Sequence, residues 1–287
     1  MATMLRAGII IRDIEHIAEM RAVEALQKEV WGVSDIDVVP ALALKPAVEV
    51  GGILVGAFDA GRLVAFAYGF AGHEGRRLII HSDMLAVQPA YRERGLGYEL
   101  KLAQRERALA QGVAEMTWTF DPLQSRNAHL NFRKLGVISD RYRINYYGEE
   151  TSSFLHQNIG TDRLWVRWPL DSERVSRRLE GERPGPDLSS IIDGAARLVR
   201  AGPDGSPRLN QLGEGAPREH ALIEIPGDIN SLQRQNLALA TAWREATRRA
   251  FGEALAAGYV VEEFYRPTAG GQGIGTYLLN YRRSNEG

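Results

Sequence analysis

The chain has 287 residues, more than a single domain of roughly 100–200 residues needs, so one large or two modest domains are expected. Its apolar fraction of 44% suffices for a sizeable core, and a net charge of −1 excludes a long-range field that would recruit nucleic acid or an anionic membrane. The absence of cysteine excludes disulfides, thiolate metal sites and a cysteine nucleophile together. No apolar run approaches the roughly 18 residues of a membrane span, and the N-terminus turns charged too early for a secretory signal. These features lead us to expect a soluble, cytoplasmic protein. Lysine occurs only at Lys28, Lys45, Lys101 and Lys134, and arginine, scattered rather than clustered, takes nearly every other basic position.

In chain order, residues 8–14 (GIIIRDI) read as a strand by their β-branched content. Residues 16–31 carry Ile17, Met20, Val23, Leu26 and Val30 at helical spacing, and a second helix is expected from Pro40 to Val50, stopped by Gly51-Gly52. Strands over 53–58 and 63–70 are joined by Asp59-Ala60-Gly61, a hairpin turn, and a third strand over 78–87 continues the meander. A helix over 96–111 follows, ended by Gly112. Then come a strand over 115–120, a helix over 125–135 closed by Gly136, and strands over 143–147 and 163–170. The predicted order β-α-α-β-β-β-α-β-α-β-β makes one mixed α/β layer structure. Residues 171–187 are charged and proline-bearing, the best linker candidate. Beyond them, strands over 195–200 and 221–225, a long helix over 231–257 and strands over 259–265 and 276–281 make a smaller C-terminal α/β unit over 188–287.

Chemistry concentrates at residues 83–98. Arg92-Glu93-Arg94-Gly95-Leu96-Gly97 places backbone N–H groups at a helix start, where no intrahelical acceptor exists and the helix dipole favours negative charge. Arg92 and Arg94 can add charge-assisted bonds to phosphates. The preceding strand stops at Pro89, so its last backbone groups are open to an extended ligand.

LAVQPAYRERGLGYEL resembles the acyl-CoA-binding motif of the GNAT superfamily of N-acetyltransferases, Arg/Gln-x-x-Gly-x-Gly/Ala, with Arg92, Gly95 and Gly97 in its three positions. The element order over residues 8–170 is similar to that fold, a mostly antiparallel central sheet flanked by helices, which gives a domain at 1–170, and Ala128 with Phe132-Arg133-Lys134-Leu135-Gly136 resembles its second block. The resemblance implies acetyl-CoA or another acyl-CoA as cosubstrate, an amine acceptor, small molecule or protein, and no metal. Arg92, Arg94, Gly95, Leu96, Gly97 and Tyr98 would hold the pyrophosphate, and Leu85, Ala86 and Val87 the pantetheine arm. Asn127 and Phe132 would complete the cosubstrate site, although the family commonly has tyrosine, the acid for the departing thiolate, where this chain has Phe132.

Acyl transfer to an amine needs a base for the ammonium and donors for the oxyanion. Strand alternation puts His81, Asp83, Leu85 and Val87 on one face. The resemblance implies a base a few positions before the pantetheine-binding segment, a place His81 occupies, with Asp83 as the partner that could raise its pKa. A core or interface histidine is the other reading of His81. Tyr146, with Tyr142 and Tyr147, is the candidate acid in place of the missing tyrosine; packing is the alternative for all three.

Other signals are set aside. Gly270-Gly271-Gln272-Gly273-Ile274-Gly275 imitates the central motif but precedes strand-forming residues, so it reads as a loop between strands. His16, His73, His129, His156 and His220 lack metal-ligand spacing, and Arg244–Arg249 reads as a solvated helix face. Of Trp165 and Trp168, one is expected in the core. The expectation is therefore an acyl-CoA-dependent N-acyltransferase acting by direct attack, with domains at 1–170 and 188–287. The C-terminal unit would shape the acceptor pocket, form a homodimer interface, or be a decayed relative of the first domain. A non-catalytic acyl-CoA-binding or interaction module, suggested by Phe132, is the alternative.

Overall fold

A computed structural model describes residues 3–4, 8–148, 159–182, 185–213, 217–266 and 273–282. The described residues fold into two compact units, one of those up to Trp118 with Pro169–Asp171, the other of those from Thr119 to Trp168 and from Ser172 onward. The structure is a mixed α/β fold with mostly antiparallel strand pairing. No helix among the described residues is long and apolar enough to cross a membrane.

The first unit contains β1 (Thr3–Met4), β2 (Ile9–Asp13), α1 (Ile17–Trp31), α2 (Ala41–Glu49), β3 (Ile53–Asp59), β4 (Arg62–Glu74), β5 (Arg77–Val87), α3 (Leu96–Ala110) and the start of β6 (Glu115–Phe120). β1 through β5 pair antiparallel in sequence order, and β6 joins parallel to β5. Asp59 faces Arg62 across the hairpin, and Ala60 and Gly61 both have positive φ (46° and 82°), as a two-residue turn matching the strand twist requires. α1 ends where Gly32 takes the left-handed region and its N–H reaches Lys28 O at 2.9 Å. α1 and α2 cover one face of the sheet, where Met20, Val23, Leu26 and Leu44 pack with Leu54, Phe66, Tyr68, Met84 and Ala86. Each fully buried leucine, valine, methionine or phenylalanine there contributes about 1.5–3 kcal/mol. α3 packs against β2 to β5, and Leu85 faces Gly97.

The second unit contains α4 (Ser125–Ala128), which continues as a π-helical turn over His129–Leu135, then β7 (Ile138–Arg143), β8 (Arg163–Pro169), α5 (Glu173–Leu179), α6 (Leu188–Ile191), β9 (Ala196–Ala201), β10 (Pro207–Leu209), β11 (His220–Pro226), α7 (Ile229–Gln235), α8 (Leu237–Ala256), β12 (Tyr259–Tyr265) and β13 (Ile274–Tyr281). Its strand order is β8-β7-β12-β13-β11-β9-β10, antiparallel except for β9 with β11. Trp168, Trp243, Phe251, Phe264 and Tyr277 are fully buried there, while Trp165 is half-buried.

Four expectations differ from these elements. The strand expected at 143–147 lies earlier, at β7; the chain turns after it because Asn145 adopts φ 45° and its N–H donates to Asp162 Oδ1 (3.0 Å). The long helix breaks at Asn236, extended at φ −153°, whose Oδ1 caps the next helix by accepting from Leu239 N–H (3.0 Å). The expected linker holds α5, capped by Ser172, with Arg178 buried beside Glu263. Arg244 is no solvated residue: its side chain is buried and donates to Asp121 Oδ1 (2.8 Å) and Ile159 O (3.1 Å), and Arg248 pairs with Asp162. Residues 270–272 of the glycine run and His156 lie outside the described residues.

Candidate active site

The turn between β5 and α3 is shaped by two residues with positive φ, Glu93 (65°) and Gly95 (83°). The second caps α3 and suits glycine, since a side chain there is strained whatever space surrounds it. Among the described residues, the N–H groups of Arg94, Gly95, Leu96 and Gly97 find no backbone acceptor, whereas those of Tyr98 and Glu99 already bond Gly95 O. Arg92 and Arg94 are exposed: Arg92 Nε donates to Val87 O (3.3 Å), and the Arg94 guanidinium lies 4.9 Å from the Tyr91 ring centroid. Free amides, a fifteen-residue helix behind them and two exposed cations form a donor set that fits a pyrophosphate. Tyr98 is half-buried, and burial raises its pKa.

β5 supplies the second half of the site. β5 and β6 pair at Ile80–Met116 and His81–Thr117 and then part. From Leu85 to Val87 the pairing of β5 is with β4, opposite Ala67, Phe66 and Ala65, which leaves the other backbone edge open to an extended ligand among the described residues. Leu85 and Val87 are half-buried, and Ala86 is in the core.

The predicted alternation along β5 fails because of a β-bulge. Met84 pairs with Tyr68 and His81 with Phe70, so Gly69 alone faces both Ser82 and Asp83. A Cβ on Gly69 would come within 3.0 Å of His81 O, so only glycine lets the strands approach there. The bulge separates the four residues expected on one face. His81 sits beside the Phe70 ring at 5.4 Å, Ser82 reaches α3, and Leu85 packs under Gly97. Asp83 is left accessible at the bulge.

The electrostatics of His81 and Asp83 differ from those expected. Burial, with Lys101 nearby, lowers the His81 pKa to about 4, so Asp83 does not raise it as expected. His81 Nδ1 shares a 2.9 Å hydrogen bond with the buried Thr117 hydroxyl. Desolvation raises the Asp83 carboxyl instead, and Asp83 adds to the burial that raises Tyr68.

The remaining candidates belong to the second unit. Asn127 is exposed on α4. Phe132 is 0% exposed, packed between Phe120 and Tyr277 (ring centroids 6.2 and 5.8 Å). Tyr142 donates to Asp162 (2.7 Å) and stacks on Phe251, which fits packing. Tyr146 is exposed, with its ring against Tyr147 and Trp165. No group of three or more His, Asp or Glu side chains among the described residues is placed to hold a metal ion.

Sequence reading missed Lys101 and Gln104, both buried on the α3 side that meets β5. Their spacing of four and seven residues from Gly97 was a usable signal, since it continues the buried stripe through Ala108.

Comparison with known proteins adds to this geometry. No curated protein matches the chain. Solved structures that resemble it include the ribosomal-protein-S18-alanine N-acetyltransferase from Escherichia coli (17% identity, covering 57% of this chain and 95% of that one, TM-score 0.45). Others are an N-acetyltransferase from Staphylococcus aureus Mu50 (13%, 57% and 100%, 0.46) and the paia N-acetyltransferase from Thermoplasma acidophilum in complex with coenzyme A (13%, 56% and 99%, 0.41). Residues 18–137, which span α1 through the β5–α3 turn to the end of the π-helical segment, match the sequence profile described as the acetyltransferase (GNAT) family. Over residues 18–137, then, the chain carries a segment similar to the acetyltransferase (GNAT) family.

Proposed function

We propose that residues 1–170 carry an acyl-CoA-dependent N-acyltransferase, N-acetyl transfer foremost, with Asp83 rather than His81 as the base. The observation that carries this reading is the conjunction, in one unit, of the amide-rich turn at 92–97, the open β5 edge and an accessible carboxylate at the bulge just before that edge in the chain. The turn would hold the pyrophosphate of the cosubstrate, and the open edge its pantetheine arm. Asp83 takes a proton from the acceptor ammonium. The freed amine attacks the thioester carbonyl, the C–N bond forms, the C–S bond breaks, and CoA leaves as a thiolate that takes its proton from solvent. Without cysteine, direct attack replaces an acyl-enzyme.

A raised carboxyl is protonated over a wider range on the acid side, but its proton affinity lies closer to that of the amine it serves. A histidine held at about 4 is neutral near pH 7 and a weaker acceptor than an ordinary imidazole. The test is release of CoA thiol from acetyl-CoA across a panel of amines. Asp83→Asn is expected to lower turnover by about 10²-fold or more, the usual weight of a general base, while leaving acetyl-CoA affinity near that of the wild type. Undiminished turnover in Asp83→Asn would remove Asp83 from the base role. A non-catalytic acyl-CoA-binding module is the second reading, favoured by the burial of Phe132 where the family commonly has tyrosine. Tight binding of acetyl-CoA with no thiol release from any amine selects it.

A further inference from the structure

α3 carries a lysine and a glutamine on a buried side that is otherwise leucine and alanine. Lys101 is 4% exposed. Its Nζ donates to Ser82 Oγ (2.7 Å) and lies 3.8 Å from the centroid of the Trp118 ring. Ser82 Oγ in turn donates to Gln104 Oε1 (2.8 Å), and Gln104 is itself fully buried. These contacts fall at one level of the fold. Ser82 and Trp118 are each the first residue beyond the last paired couple of the β5–β6 ladder, His81 and Thr117. The amine therefore sits where the two strands part, tied to both and anchored on the helix whose N-terminus forms the phosphate turn.

A buried amine at such a place is costly unless it is neutral or well partnered. Among the described residues no carboxylate pairs with it. On β6 Glu115 is taken by Arg77 (2.9 Å), and on β2 Asp13 is taken by Arg107 (2.8 Å). The titratable groups of β5 around Ser82 are His81, held by Thr117, and Asp83 at the bulge. Burial accordingly lowers the Lys101 pKa to about 7. A leucine at this position would pack without that penalty, so the polar contact to Ser82 is the feature that needs a function.

We propose that Lys101 is a positioning residue for the transfer step: its amine fixes Ser82, and through Ser82 the bulge, so that Asp83 and the open edge from Leu85 to Val87 keep the spacing the reaction needs. This rests on the acyltransfer reading given above. Lys101 touches no reacting atom. It acts on the residue that precedes the base, and a shift of about 1 Å there is enough to cost on the order of 10²-fold in rate. The phosphate turn lies at the N-terminal end of the same helix and is expected to be unaffected.

The test uses the full-length protein, acetyl-CoA and the best amine from the panel. In Lys101→Met, which keeps the apolar stem and removes the Nζ, kcat is expected to fall by about 10- to 100-fold, with acetyl-CoA affinity changed less than about threefold. Wild-type kcat should show an ionisation near 7 that is absent from the variant. Ser82→Ala, which keeps the amine and removes its acceptor, is expected to reproduce the fall in kcat and serves if Lys101→Met does not fold. Wild-type kcat and pH profile in Lys101→Met, or wild-type kcat in Ser82→Ala, overturns the positioning role and leaves the acyltransfer reading standing. A wild-type protein that transfers to no amine overturns both.

Discussion

At the scale of single residues the site turns on where burial puts protons. Asp83 and His81 are two positions apart, yet desolvation moves them in opposite senses because it opposes the charged form of each: the carboxyl rises and the imidazole falls. The acid limb of the rate profile should then lie above the usual carboxylate range, since turnover falls as pH drops through the raised Asp83 pKa. A pH series of kcat/KM checks this, and a limb within the ordinary range near 4 would count against Asp83. Arg92, Gly95 and Gly97 were legible in the sequence because their requirement is local: a turn, a positive φ and a helix start are all encoded within six residues. The lowered pKa of His81 was not, because it depends on burial and on Lys101, which is remote from it in sequence.

At the scale of elements, the sequence revealed those whose periodicity is uninterrupted. α1, the β3–β4 hairpin and α3 lie where apolar spacing and glycine stops put them. Two kinds of element escaped. The bulge in β5 is invisible to alternation, since one extra residue reverses the facing of everything beyond it; Gly69 on the partner strand was the only trace. The break between α7 and α8 escaped because Asn236 lies inside a run with no proline or glycine, and only its cap on Leu239 distinguishes it. Asn236→Ala should therefore destabilise the second unit by about 1 kcal/mol, the ordinary worth of an N-cap. Thermal or denaturant unfolding checks this, and an unchanged midpoint would mean that tertiary packing alone sets the break.

At the scale of the molecule, the chain has one unit with an amide-rich turn at 92–97 and another whose core is built on aromatic rings and buried ion pairs. Phe132, Tyr277, Phe251 and Phe264 pack edge to face, and Arg178–Glu263 and Arg244–Asp121 are paired out of water. These arginines read as surface residues in a sequence because burial of a charge depends on a partner far along the chain, 85 residues away for Arg178 and 123 for Arg244. Lys101 gives stability its own pH dependence. Its folded pKa, about 7, lies below the 10.5 of an exposed lysine, so between those values the unfolded chain binds more protons and stability rises with pH. Between pH 7 and 9, wild type should gain more thermal stability than Lys101→Met; equal gains would show that Lys101 ionises alike in both states.

The central claim is that residues 92–97 bind the pyrophosphate of an acyl-CoA. Calorimetric titration of acetyl-CoA into the wild-type protein and into Gly95→Val tests it most directly, because the variant strains a backbone held at φ 83° while its side chain meets no atom within 4 Å. Saturable binding by the wild type and its loss in a folded Gly95→Val protein is the predicted result. Equal affinity in the two proteins, or no binding by the wild type, would contradict the account.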